Sequence, residues 1–145
     1  MTVKRAIVST FQNRIANPLI KRLLARGWVP AGYALLETTG RRSGLPRQTP
    51  VGDGLVGEQF WLVAEHGSKA AYVRNIGANP RVRVRVREGR RQLWRSGIAH
   101  VLPDDDARER QRWLAGTGPG RAANARAVRA FGTDLTTVRI DLDPR

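Results

Sequence analysis

Alternation of apolar and polar residues is the main pattern of the chain from Tyr33 onward, and it is typical of β-strands with one buried face. The segment RVRVRVR, residues 81–87, alternates without a break, so its valines share one face and its arginines the other. Comparable runs predict further strands: YALLETT (33–39), RQTPV (47–51), EQFWLVAE (58–65), RQLWRSGIAHVL (91–102) and TTVRIDLD (136–143). We therefore predict a mainly β, α+β fold, in which antiparallel strands form a small barrel with short flanking helices.

The hexapeptide GDGLVG, residues 52–57, matches the G-x-G-x-x-G pattern of dinucleotide-binding folds. In those folds the pattern opens a helix, whereas here a strand pattern follows it. We therefore reject a dinucleotide site and interpret Asp53–Gly54 as a hairpin turn.

The first part of the chain has a helical pattern instead. Ile7, Phe11 and Ile15 recur every four residues, which is the spacing of one helix face. We predict an amphipathic helical segment over residues 1–30, followed by a barrel domain over residues 31–145.

The net charge of the chain indicates which classes of partner it could bind. The chain has 26 lysines and arginines against 12 acids, a formal net charge of +14, which indicates an anionic partner. Residues 4–26 form a basic amphipathic pattern that could contact an anionic membrane peripherally, but we favour a helix that covers one end of the sheet. Nucleic acid is disfavoured because the chain has no nucleic-acid-binding motif and its arginines are spread along its whole length. A phosphorylated small molecule is the third class of anionic partner that qualifies.

Residue types that the chain lacks exclude several kinds of chemistry. Cysteine is absent, which excludes disulfides, thiolate nucleophiles and cysteine-ligated metals. His66 and His100 are far apart in sequence, so we predict no metal site. No apolar run has the length of a membrane span, and the N-terminus lacks the apolar core of a secretory signal. We predict a cytoplasmic protein, with the inner face of the cell membrane as the alternative location.

The segment TTGRRSGLPRQTP, residues 38–50, is the clearest candidate for a binding site. It places Arg41, Arg42 and Arg47 among glycines and hydroxyls, and it contains no acid. Successive backbone N–H groups in a turn form an anion-binding concavity, and guanidinium groups suit phosphate and carboxylate. Ser43 adds a hydroxyl donor. The alternative is a basic surface hairpin that binds only water.

A second candidate segment is EHGSKAAYVRNIGANP, residues 65–80. It predicts a short helix that follows a glycine-containing turn, with Ser68 as its N-cap and Asn79-Pro80 at its end. Tyr72, Val73 and Ile76 could face a flat ring or the core. We favour the core for Val73 and Ile76, and for Tyr72 both interpretations stand.

Taken in order, LETTGRRSGLPRQTP, AEHG and YVRNIGANPRVRV resemble the deazaflavin-dependent nitroreductase family, whose members are split β-barrel oxidoreductases that use coenzyme F420. The resemblance covers residues 35–86. It implies three groups of coenzyme-binding residues. The tail, with its phosphate and glutamates, would bind Arg41, Arg42, Ser43 and Arg47. The ring would be flanked by Pro50 and by the turn of Ala64, Glu65, His66 and Gly67. The same pocket would be lined by Tyr72, Val73, Asn75 and Ile76.

The resemblance also implies a reaction, namely hydride transfer from reduced F420 to an electron-poor small molecule such as a quinone or an activated alkene. The product anion then needs a proton, and the candidate donors are His66, Tyr72 and water. Tyr72 stands where the family usually has tryptophan, and Phe131 is the only aromatic residue in the segment 117–134, where nitroimidazole-reducing members carry tyrosines. The acceptor and the oligomeric state stay open. FMN is the alternative cofactor, and a non-catalytic carrier of F420 or a lipid is the alternative function.

Overall fold

A computed structural model of the chain describes residues 22, 26, 32–64, 66–117 and 134–144. Within these ranges the chain forms seven strands, two α-helices and one 3-10 turn. In chain order they are β1 (Tyr33–Thr39), β2 (Pro46–Gly52), β3 (Leu55–Val56), β4 (Gln59–Ala64), the 3-10 turn (Gly67–Lys69), α1 (Ala71–Ala78), β5 (Arg81–Glu88), β6 (Arg91–Leu102), α2 (Ala107–Ala115) and β7 (Thr136–Leu142). The strands predicted from alternation are confirmed.

All strand pairs are antiparallel, and the sheet order is β2-β1-β5-β6-β7-β4-β3. β2 and β3 are therefore the two edges, yet only Asp53 and Gly54 separate them in sequence. Three residue steps span at most about 11 Å, so the sheet must curl until its edges are neighbours. The result is a curled half-barrel, which confirms the predicted mainly β fold of the split β-barrel type.

The core lies inside this half-barrel. Val82, Val84 and Val86 on β5 are each at most 2% exposed, as their alternation predicts, and Phe60 and Ile140 are fully buried. Ala34 and Leu36 of β1 and Val138 of β7 belong to the same cluster. Burial of apolar side chains from strands at both edges of the order stabilises the curl.

The interpretation of Asp53–Gly54 as a hairpin turn is wrong, because β2 and β3 do not pair. Neither residue has the positive φ that a tight hairpin turn needs. The segment crosses between the sheet edges instead. Gly54 packs against the backbone of Trp61, whose N–H donates to the Gly54 carbonyl at 2.9 Å. A Cβ atom on Gly54 would lie 1.6 Å from the Trp61 carbonyl oxygen, so only glycine fits there.

Helix α1 begins later than predicted. Its N-cap is Ala70, with φ −66° and ψ 134°, and no side chain caps it. The assignment of Ser68 as the N-cap is therefore wrong, because the 3-10 turn occupies Gly67–Lys69 and a break at Ala70 separates it from the helix. The predicted end at Asn79 is confirmed, since Asn79 is the C-cap and its N–H donates to the Asn75 carbonyl at 2.8 Å.

Helix α2 is held against the outer face of the sheet by polar and aromatic contacts. Asp106 caps it, because its Oδ1 accepts from the N–H of Glu109 at 3.2 Å. The Arg110 guanidinium lies 4.1 Å from the ring centroid of Trp61 on β4 and 5.0 Å from that of Trp113. The contact with Trp61 holds α2 against β4, and α2 also lies next to β7.

Several predictions concern residues outside the described ranges. They include most of the helical segment 1–30, residue Glu65, and residues 118–133. The membrane contact through residues 4–26 stays a prediction. Within the described residues, no helix has the length and apolar character needed to span a bilayer.

Candidate functional site

The turn between β1 and β2 is closed by its own hydrogen bonds. The N–H of Gly40 donates to the Leu45 carbonyl and the N–H of Gly44 donates to the Gly40 carbonyl, both at 2.8 Å. The Leu45 N–H also donates to Ser43 Oγ at 3.1 Å. Gly44 has φ +72°, a left-handed conformation that favours glycine. The sequence therefore builds a defined turn at this position.

The arginines of this turn have no acidic partner among the residues that the structure describes. Arg41 and Arg42 are exposed and Arg47 is half-buried. In the part of the chain that the structure describes, no carboxylate forms a salt bridge with any of these three. Arg47 Nη2 lies 3.4 Å from Ser43 Oγ, within the turn itself. The turn therefore presents uncompensated positive charge, which an external anion can neutralise.

Glu37 is the carboxylate of β1, and it is engaged by Arg83 and Gln48 rather than by the turn arginines. Its oxygens accept from Arg83 Nε at 2.9 Å, Arg83 Nη2 at 3.0 Å and Gln48 Nε2 at 3.2 Å. Burial opposes ionisation of this group, but the hydrogen bonds from Arg83 and Gln48 outweigh it and hold its pKa below the usual value. Glu37 is therefore ionised at neutral pH and already paired.

Asn75 of α1 connects the turn to the helix. Its Oδ1 accepts from the backbone N–H of Arg41 at 3.2 Å and from Arg41 Nη1 at 3.0 Å. Its Nδ2 donates to Thr38 Oγ1 of β1 at 3.1 Å. Asn75 is 3% exposed and Thr38 is 2% exposed, so this amide is a buried link between three elements.

A cavity of about 280 Å³ lies between the turn, β2 and α1. Its walls combine the arginine-rich turn with the N-terminal half of the helix. It is lined by Gly40, Arg41, Arg42, Ser43, Arg47, Gln48, Thr49, Ala71, Tyr72 and Asn75. Tyr72 is half-buried and also packs against the core. A charged rim beside an aromatic side chain suits a ligand with an anionic end and a flat apolar end.

Six of the residues proposed from sequence thus meet at one cavity: Arg41, Arg42, Ser43, Arg47, Tyr72 and Asn75. Of the others, Glu65 lies outside the described residues, and six lie elsewhere. Pro50 and Ala64 are buried in strands, and Val73 and Ile76 are buried on the core side of α1. His66 is exposed at the start of the 3-10 turn, and Gly67 is buried against Asp134. None of these six lines the cavity.

The sequence interpretation missed Gly40, Gln48, Thr49 and Ala71 as lining residues. The signal for Thr49 was present, because Arg47 and Thr49 are two apart on one strand and so share a face. The register confirms this, since Arg47 pairs with Thr38 and Thr49 with Leu36, both of which point inward. No comparable signal identified Ala71, since its place depends on how α1 packs.

Comparison with known proteins gives a family and a fold. The family model of the F420H(2)-dependent quinone reductases matches residues 12–143. No curated protein matches the chain. An F420-H2 dependent reductase of known structure is 23% identical, with a TM-score of 0.51, over 77% of this chain and 96% of that one.

Two further structures share the fold. A protein of unknown function from Agrobacterium tumefaciens is 20% identical, with a TM-score of 0.59, over 79% of this chain. This chain spans 49% of that protein's length. A conserved hypothetical protein from Mycobacterium tuberculosis is 18% identical, with a TM-score of 0.58, over 79% of this chain and 74% of that one. At these identities the structural likeness establishes the fold alone.

Proposed function

We propose that this chain, which belongs to the F420H(2)-dependent quinone reductase family, is an oxidoreductase. It would pass hydride from reduced coenzyme F420 to an electron-poor acceptor such as a quinone. The observation that carries this proposal is the acid-free arginine turn beside a cavity that Tyr72 borders. Family membership indicates which coenzyme the protein would use, and the cavity is the place where that coenzyme would bind.

The residues present fit this coenzyme. Its tail carries a phosphate and glutamyl carboxylates, and Arg41, Arg42 and Arg47 provide guanidinium donors that form no salt bridge with any described carboxylate. Phosphate and carboxylate are the groups that guanidinium binds with paired hydrogen bonds. FMN carries the phosphate but lacks the glutamates, so the same turn favours F420 over FMN.

When bound, reduced F420 supplies the hydride, which no side chain of this protein can supply alone. The residues of the chain would bind the coenzyme and orient it. The turn holds the anionic tail, and Tyr72 stands at the border between the cavity and the apolar core, where it limits the access of water. Its hydroxyl is the proton donor at the cavity, whereas His66 lies outside the lining.

Titration of the purified protein with F420 and with FMN, followed by ring fluorescence, tests the cofactor. We expect the tighter binding for F420. Oxidation of reduced F420 in the presence of a soluble quinone tests the reaction, and we expect turnover that depends on both protein and quinone. Equal or tighter binding of FMN would contradict the cofactor assignment, and tight F420 binding without oxidation by any quinone or activated alkene would identify a carrier.

A further inference from the structure

We propose that Asn75 is a positioning residue that fixes Arg41 in the anion-binding turn through a neutral amide, and so sets the affinity for the coenzyme's anionic tail. The inference rests on the proposed function for the identity of the anion. It assigns to Asn75 a role that acts through Arg41.

The orientation of the Asn75 amide follows from its partners. The N–H of Arg41 and Nη1 of Arg41 are both donors, so the amide atom that faces them is the oxygen. The nitrogen then faces Thr38 Oγ1, which accepts. One buried side chain thus holds both the backbone and the guanidinium of Arg41, across 34 residues of sequence.

The choice of an amide has an electrostatic consequence. Three other arginines of the described chain are fixed by carboxylates. Arg83 is held by Glu37 at 2.9 Å, Arg95 by Glu58 at 2.6 Å and Arg110 by Asp105 at 3.2 Å. A carboxylate fixes the guanidinium and also cancels its charge. The Asn75 amide fixes the guanidinium and leaves its full charge for a ligand.

Preorganisation is the second consequence. An arginine side chain loses much of its rotamer freedom when it is immobilised, which opposes binding. Because Asn75 already restrains Arg41, less of this cost falls on ligand binding. Since Asn75 lies on α1 and Arg41 on the β1–β2 turn, the same contact also sets the distance between two walls of the cavity.

Substitution of Asn75→Asp separates these effects. The carboxylate has the same shape, Arg41 can still donate to it, and the Thr38 hydroxyl can rotate to donate as well. The fold should therefore survive while the charge of Arg41 is cancelled. We expect F420 affinity to fall about tenfold or more, which is the effect of losing one charge-assisted hydrogen bond.

Asn79→Asp is the matched control, because it makes the same change at the helix C-cap, where Asn79 Oδ1 accepts from the Arg81 N–H at 3.1 Å. We expect the F420 affinity of Asn79→Asp to differ from that of the wild type by less than about twofold.

Coupling to Arg41 distinguishes positioning from a general structural role. In an Arg41→Ala background, Asn75→Ala should weaken F420 binding no further than Arg41→Ala alone, because the guanidinium through which Asn75 acts is gone and no new charge enters the cavity. Losses that add in the double variant would overturn the inference, since they would mean that Asn75 acts on the coenzyme or the fold directly.

Amide hydrogen exchange, measured by NMR without coenzyme, tests the contact itself. The Arg41 amide should exchange faster in Asn75→Ala than in the wild type, and Asn75→Asp should retain the protection. Unchanged exchange in Asn75→Ala would overturn the inference.

A wild type that binds no F420 would overturn the proposed function instead, while the exchange result would still decide whether Asn75 holds Arg41. Equal F420 affinity of wild type and Asn75→Asp would overturn the inference and leave the function standing.

Discussion

At the scale of residues, the arginines of the described chain divide by the chemistry of their partners. Arg83, Arg95 and Arg110 are bound by carboxylates, and the hydrogen bonds that Arg95 donates to Glu58 and Arg83 donates to Glu37 raise the pKa of both arginines. In the β1–β2 turn, Arg41 donates to the Asn75 amide and Arg47 to the Ser43 hydroxyl instead. The first group stabilises the fold, and the second group is available to a ligand.

Removal of one turn arginine should change coenzyme affinity rather than chemistry. A charge-assisted hydrogen bond contributes about 1.5–3 kcal/mol, so Arg42→Ala or Arg47→Ala should raise the KM for reduced F420 about 10- to 150-fold. The kcat at saturation should stay nearly constant, because the tail lies several bonds from the reacting ring. Steady-state kinetics with a quinone acceptor measure both constants.

Two variants serve as references for that experiment. Arg90→Ala removes the same charge from the exposed β5–β6 hairpin, so it should leave KM almost unchanged. Tyr72→Ala alters the aromatic wall of the cavity, so it should lower kcat itself. If Arg42→Ala and Arg47→Ala match Arg90→Ala in KM, the turn is only a solvated basic hairpin.

At the scale of elements, Asp105 ties helix α2 to the sheet. Its carboxylate accepts from Arg110 Nε at 3.3 Å and Nη2 at 3.2 Å, and from Thr137 Oγ1 of β7 at 2.8 Å. The hydrogen bonds from Arg110, followed by that from Thr137, outweigh burial and lower the pKa of Asp105 below its ordinary value of 3.8. The ionised form is therefore the one that the fold stabilises.

Asp105→Asn should destabilise the protein at neutral pH by about 1.5 kcal/mol, because it removes the charge from these hydrogen bonds. Since folding lowers the pKa of Asp105, its contribution is complete above the unfolded value and disappears as the pH falls through the folded pKa. The difference in unfolding free energy between wild type and variant should therefore shrink below about pH 4. Denaturant melts across this range measure it, with exposed Asp104→Asn as the control. A difference that is constant with pH would show that the carboxylate charge is not the cause.

Elements could be predicted from the sequence where one local pattern decides them. The alternation of β5 and β6 and the Asn79 C-cap were enough to place those strands and the end of α1. The connection at Asp53–Gly54 could not be predicted in this way. A local turn signal cannot reveal that the flanking strands lie at opposite edges of a curled sheet. The cavity shows the same division. The arginine turn is local, whereas the contact of Asn75 with Arg41 depends on packing between distant segments.

At the scale of the whole molecule, the net charge of +14 attracts anions generally, so anion binding by itself says little about the site. A specific site requires a local effect beyond this general attraction. Exposed charges act over about 8–10 Å at ordinary ionic strength and are screened by salt, whereas hydrogen-bonded pairs in a cavity are screened less. A ligand that differs only in its tail separates the two effects.

The most direct test compares F420 with the same deazaflavin without its phosphate and glutamyl tail, both titrated against the wild type by ring fluorescence. The turn arginines should make the complete coenzyme bind at least about tenfold more tightly, the effect of one or more charge-assisted hydrogen bonds. That preference should persist in part at high salt and decline in Arg42→Ala and Arg47→Ala. Equal affinities for the complete and the truncated molecule would contradict the claim that the arginine turn binds the coenzyme's tail.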